Sequence, residues 1–343
     1  EIIKILDAIA RDTSLVHCAG EFYRFDHART RETIYEEISS ALRRGYHAKI
    51  AQKLESISKN DKFSFSDIAH HYTQAGYKSK AVQYALAAGQ NALSKWSNVE
   101  SIKHFSFVVQ AVGTNPEYIH DRIIAIEGLG DAYYANDNFA QAIETYEQLA
   151  DIQNGTTKLR AFRKAIRAAS YLGDISKQRT LIQKAEAIAT VDRLETARIL
   201  YEKGTVVGGE NDWMTALKLI EEALQVFDEE YALSDAASVL PLMGYVAATL
   251  GHLEMGVVAA LRSIALHNEL GDVRSQIEAY AYAGGSFQAC ALNEISIQML
   301  AKAVELNEQT KIWDYVRVIP AYVWWSAGLI GVDLEKSVSK VLR

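Results

Sequence analysis

The 343-residue chain carries 36 basic against 43 acidic side chains, a net charge of -7 and a pI near 5.8. That balance excludes a protein that grips nucleic acid over most of its surface, because phosphate contacts need clustered lysine and arginine. Hydrophobic residues make up 49% and prolines number only 3, a composition that supports a sizeable core and suits long helices better than a loop-rich β fold.

From the N-terminus, residues 1–58 read as one region. "EIIKILDAIARD" places Ile2, Ile5, Leu6 and Ile9 on one stripe and predicts an amphipathic helix. "SLVHCAGEFYRFDH" alternates around Val16 and Cys18, turns at Ala19-Gly20 and returns through Phe22 and Phe25, which predicts a β-hairpin. Helices follow in "ARTRETIYEEIS" and "RRGYHAKIAQKLESI". A helix followed by a β-wing is how a winged helix ends. Cys18 and Cys290 form no C-x-x-C, so neither a disulfide framework nor a thiolate metal site is expected. With no basic stretch leading into an apolar one at the start, a cytoplasmic location is expected.

Residues 59–343 read as a repeat domain. Gly89, Gly130, Gly204, Gly244 and Gly284 are each followed twelve positions later by a small residue: Ser101, Ala142, Ala216, Gly256 and Ser296. The period is about forty, and a degenerate copy around Ile166 keeps the turn "YLGD" and Ala185. Each copy reads as two amphipathic helices whose small residues let the backbones approach. The turns "ANDN", "LGD", "GGEND" and "TLGH" supply Asn, Asp and Gly as helix caps. Pro241 and Pro320 fall inside first helices, where a kink or a late helix start is predicted. The apolar run 318–332, with Trp324 and Trp325, is shorter than the ~20 residues of a membrane span and reads as a buried repeat helix.

Catalytic motifs are absent. "GLGDAYY" lies inside a predicted helix with no strand before it, and neither G-x-x-x-x-G-K-[ST] nor H-E-x-x-H occurs. His70 and His71 are adjacent and point in different directions along a helix. The expectation is a binding protein without enzymatic activity, cofactor or metal. First helices of stacked repeats usually line the binding surface. Arg160, Arg163 and Arg167 share one face at i, i+3 and i+7; neighbouring first helices add Glu127, Asp131 and Tyr134 on one side and Arg198, Tyr201 and Tyr245 on the other. Such a groove suits an anionic or polyhydroxylated ligand or an acidic peptide. The alternative is that these arginines pair with acidic residues of adjacent repeats.

With Leu129, Gly130, Tyr133, Phe139, Ala142 and Tyr146 as its best copy, the region from about residue 62 to 343 resembles the tetratricopeptide repeat, although its longer period departs from the family's length of about 34. The resemblance implies an all-α fold: a right-handed α-solenoid of tetratricopeptide-like helix pairs behind a small winged-helix remnant with one β-hairpin. Phe25, His27, Arg31, Glu32, Tyr35, His47, Ile50, Ala51, Leu54 and Glu55, then Ala69, His70, Tyr72, Ala75 and Gly76, resemble the junction between winged-helix and superhelical parts of STAND signal-transduction ATPases of the maltose-regulator and cyclase-associated types. By that resemblance His27 contacts the phosphates of ADP or ATP in a longer parent protein, with Arg31 on the same helix face. Ala28 replaces the acid that follows the family's histidine. Three readings follow: the sensor arm of such a regulator, binding a protein, a peptide or a small-molecule inducer; a free-standing scaffold for protein assembly; or a DNA contact through Arg24, Arg29, Arg43 and Arg44, opposed by the interleaved Glu32, Glu36 and Glu37. No membrane contact is expected, and the sequence leaves the oligomeric state open.

Overall fold

A computed structural model describes residues 2–13, 15–20, 22–57, 65–188 and 192–310. Pro320, Trp324, Trp325 and the apolar run 318–332 lie outside the described residues. Among the described residues there are sixteen α-helices and one two-stranded antiparallel sheet, in an α-solenoid of tetratricopeptide-like helix pairs. Packing divides the chain into two compact units, Glu1–Asp137 and Asn138–Arg343.

The first unit runs α1 (Ile2–Asp12), β1 (Val16–Ala19), β2 (Phe22–Phe25), α2 (Ala28–Glu37), α3 (Ser40–Ile57), α4 (Phe65–Ala75), α5 (Lys78–Ser94), α6 (Asn98–Val112), a short 3-10 turn at Pro116–Tyr118 and α7 (Ile119–Ala135). The hairpin pairs Val16 with Phe25 and Ala19 with Phe22, and the Tyr23 hydroxyl ties it to α1 by donating to Asp7. The buried Ala51 of α3 packs with Ile68, Tyr72 and Ala81. Beside it Glu55 accepts from Lys80 at 2.5 Å, from Tyr72 and from Tyr84 at 2.7 Å. These donors, Lys80 first, hold its carboxyl down at about 2.

The second unit runs α8 (Phe139–Asp151), α9 (Gly155–Tyr171), α10 (Ile175–Glu186), α11 (Arg193–Gly209), α12 (Trp213–Glu229), α13 (Leu233–Thr249), α14 (Leu253–Leu270), α15 (Val273–Ala289) and α16 (Asn293–Thr310). One of its core clusters centres on Ile220, Phe227, Val239 and Leu240, contributed by α12 and α13.

The twelve-residue spacing marks where paired helices cross. Ser101 of α6 donates to the Gly89 carbonyl of α5 at 2.9 Å, and Ser296 of α16 donates to Gly284 of α15 at 2.7 Å. On α13, a Cβ at Gly244 would stand 3.1 Å from the Gly256 carbonyl oxygen of α14. A larger side chain at these positions would push the backbones apart, which is why the repeat keeps both partners small. The turns within pairs hold one residue in the left-handed region: Trp96, Gly173, Asn211, Gly251 and Ala291, with φ of 60°, 66°, 69°, 88° and 61°. Asp174 and Asp212 then cap the following helices, accepting from the backbone N–H of Lys177 at 2.9 Å and of Thr215 at 3.2 Å.

Of the kink or late helix start predicted at Pro241, the late start does not occur: α13 begins at Leu233 and runs through the proline to Thr249. Pro241 cannot donate to the carbonyl four residues back, that of Ala237. His267 of α14 supplies the missing donor, its Nε2 lying 2.9 Å from the Ala237 oxygen in a buried contact. That bond fixes the proton on Nε2. Burial also keeps the imidazole pKa below its usual value, so the neutral ring persists. Replacing His267 by leucine leaves a buried carbonyl unpaired and is expected to cost about 2 kcal/mol. In a Pro241→Ala background, where residue 241 regains its N–H, the same replacement should cost far less. Urea unfolding of the four chains measures the coupling, and strictly additive losses would refute this account.

Candidate functional site

On α9 the apolar face is buried through Leu159, Phe162, Ala165, Ile166 and Ala169. The helical period therefore brings Arg160, Arg163 and Arg167 together on another face. α11 contributes Arg198, Tyr201 and Glu202; α13 contributes Ser234, Asp235, Ser238 and Val239; Phe227 comes from α12. These residues line one cavity of about 420 Å³ within the second unit.

The arginines around it are bound unequally. Glu195 of α11, with 0% of its side chain exposed, pairs with Arg163 Nε at 2.5 Å and with Arg198 Nη1 at 2.8 Å. Arg198 also grips Asp235 with two parallel bonds, Nε to Oδ1 at 2.8 Å and Nη2 to Oδ2 at 2.7 Å. Arg163 and Arg198 thus follow the alternative reading and serve as ties between helix pairs. Arg167, with 47% of its side chain exposed, reaches Glu202 at 3.4 Å. Among the described residues the exposed Arg160 has no ion pair.

Burial pushes the carboxyl of Glu202 up, against the opposing pull of Arg167 and Arg163. Tyr201 donates to the Ser238 carbonyl at 3.4 Å, and burial raises its phenol as well.

Of the other residues singled out in the sequence, Tyr245 packs edge-to-face on Tyr282 at 6.5 Å, one pair further on, and is not among the cavity's lining. Glu127, Asp131 and Tyr134 stand half-buried on α7 in the first unit, each engaged with a partner. His27 occupies the N-cap position of α2 without a side-chain capping bond, and both it and Arg31 are exposed. Near them a polar chain runs from Tyr35 through His47 to His71, with contacts of 2.8 Å and 2.7 Å. Burial lowers the pKa of both imidazoles, and the neighbouring His70 lowers them further. Arg43 stacks over the Tyr35 ring at 5.1 Å, and Arg44 folds back to the Ser40 carbonyl at 3.4 Å.

Glu195, Glu202, Ser234, Asp235 and Ser238 are residues of the site that sequence reasoning does not single out. A signal for the acids does exist: base and acid recur about one repeat apart, 32 residues between Arg163 and Glu195, 37 between Arg198 and Asp235, and 34 between Arg262 and Asp228.

No family model matches the chain. No curated protein matches it either. Solved structures do. One, from Pyrococcus horikoshii, is described as a Signal Transduction ATPase with Numerous Domains carrying a tetratricopeptide repeat sensor; it is 16% identical, with a TM-score of 0.53 over 94% of this chain and 48% of that one. The chain thus spans about half the length of that protein. Aspartyl phosphate phosphatase F from Bacillus subtilis is 13% identical with a TM-score of 0.52 over 89% of this chain and 88% of that one. The Cut9–Hcn1 hetero-tetramer of the APC/C gives 14% identity and a TM-score of 0.54 over 85% of this chain and 50% of that one. At these identities the likeness establishes the fold, a tetratricopeptide-like helical repeat. No helix among the described residues is long and apolar enough to cross a membrane.

Proposed function

We propose that the chain is a non-catalytic binding arm whose second unit recognises an acidic peptide segment of a protein partner. The observation that carries this reading is the unequal use of the arginines. Arg163 and Arg198 are held by Glu195 and Asp235, whereas the exposed Arg160 stands on the same helix face at the cavity with no ion pair among the described residues. Carboxylates suit guanidinium forks, and Tyr201, Ser234 and Ser238 add polar edges for a peptide backbone.

The test uses an end-capped peptide of alternating glutamate and alanine at low salt. Arg160→Ala combined with Arg167→Ala should weaken its binding at least about tenfold, the scale of losing one or two charge-assisted hydrogen bonds. Calorimetry reads the change, and equal affinities would reject the reading. Binding of a small anion in place of the peptide would favour an inducer over a protein partner.

The finer assignment, sensor arm of a STAND-type ATPase, rests on the resemblance between residues 22 and 76 and the junction of that class. In that setting His27 and Arg31, both exposed beside the hairpin, would face a nucleotide held by a separate domain. A free-standing assembly scaffold is the second reading, favoured by a helical-repeat fold that needs no other domain to present its groove.

A further inference from the structure

Helix α3 is committed to the core on one face only. Ala51 packs with Ile68, Tyr72 and Ala81, and the buried His47 meets His71 at 2.7 Å. On the flank that helical spacing turns away from those contacts, Leu42, Tyr46 and Ile50 follow one another at i, i+4 and i+8 and are 56%, 52% and 42% exposed. Three large apolar side chains thus form a ridge about 12 Å long in water.

The adjacent row of the same helix is Gly45, Lys49 and Lys53, all exposed. Among the described residues neither ammonium group has a partner, and nothing lies within 4 Å of a Cβ built on Gly45. Glycine inside a helix weakens it relative to alanine, and a contiguous apolar ridge favours association. No contact among the described residues offsets either feature.

We propose that this face of α3 docks an amphipathic helix of a partner protein, one whose apolar stripe is bordered by acidic residues. A ridge at i, i+4 and i+8 has the spacing that fits the groove of a second helix. Gly45 beside it lets the partner's backbone come close, the device this chain itself uses where α13 meets α14 at Gly244 and Gly256. Lys49 and Lys53, one turn apart, match carboxylates one turn apart on the partner. A lipid surface would use the lysines but has no use for the glycine. A second copy would bring lysines against lysines, because the face carries no acid of its own. The surface lies in the first unit and does not depend on the reading of the cavity in the second.

The probe is a labelled, end-capped helical peptide of about 20 residues, with leucines in one i, i+4, i+8 row and glutamates at i and i+4 in the row beside it. Its twin carries lysines in place of the glutamates. At low salt, fluorescence anisotropy should give a Kd of about 100 µM or tighter for the glutamate peptide and a value at least about tenfold weaker for the twin. Hydrogen exchange should show the protection in α3. Lys49→Glu combined with Lys53→Glu should reverse the preference between the two peptides, an outcome that misfolding does not produce. Gly45→Leu enlarges the apolar surface yet should weaken the glutamate peptide at least about tenfold, whereas indiscriminate stickiness would strengthen it.

Absence of binding, equal affinity for the two peptides, or protection confined to the second unit overturns the proposal, and the unaltered protein alone gives each of these results. A dimer in sedimentation that Gly45→Leu disrupts assigns the face to a second copy. Binding to vesicles of phosphatidylserine and phosphatidylcholine that Gly45→Leu leaves unchanged assigns it to lipid. Either result overturns the helix partner.

Discussion

A Gly128→Val chain is expected to unfold about 3 kcal/mol more easily than the natural one. Phe105, 1% exposed, lies against two glycines. A Cβ on Gly89 would stand 2.9 Å from the ring, and one on Gly128 would overlap it. The ring is enclosed by the core of the first unit, with Ala85, Val108 and Ala125 around it, and has nowhere to swing. Two effects compete in this substitution. Helix propensity favours replacing an internal glycine by up to about 1 kcal/mol, and overpacking opposes it by more. Gly45 separates them: it is exposed on α3, and a Cβ added there would meet no other atom within 4 Å, so Gly45→Ala should gain up to about 1 kcal/mol. Shortening Phe105 to leucine should relieve much of the cost at residue 128. Urea denaturation measures all three, and equal, small effects at residues 45 and 128 would sink the steric explanation.

Arg163→Met is the second change with a large expected effect, a loss of about 3 kcal/mol. It removes one of two partners from Glu195, a carboxylate with 0% exposure that water cannot reach to compensate. The contrast is Arg179→Met, which breaks an ion pair with Glu210 whose arginine is 61% exposed and should change stability by less than about 1 kcal/mol. Hydrogen exchange of α9 and α11 amides reports the opening locally, which suits a fold whose repeats unfold semi-independently. Matching losses for the two variants would mean that burial of Glu195 does not govern the pair. Arg163 is accordingly a poor choice for probing ligand contacts, since its removal disturbs the fold that shapes the cavity.

The helix pairs are readable in the sequence because crossing helices impose a requirement on particular positions. Gly89 with Ser101, and Gly284 with Ser296, meet at the crossing itself, where only small residues fit. Ala291 is not readable as a left-handed turn residue, because alanine gives no sign of a positive φ that Gly173 and Gly251 advertise at equivalent turns. Pro241 declares a missing donor, yet it does not delay the helix start that such a loss suggests. The remedy, His267, lies on another helix and leaves no mark in the local sequence. In the cavity, Arg160, Arg163 and Arg167 declare their common face through helical spacing. Glu195 in "RLETAR" looks like any solvated acid, and only packing against α9 buries it.

The pairing of bases with acids one repeat away has a consequence for how such a chain can diversify. Arg163 reaches Glu195, Arg198 reaches Asp235, and Arg262 reaches back to Asp228. These helix pairs of the second unit therefore carry halves of locks whose other halves are written on their neighbours. Duplication or excision of a single pair by recombination would keep the hydrophobic seams matched yet set these charges against strangers. The order of the repeats, and not only their number, is thereby fixed.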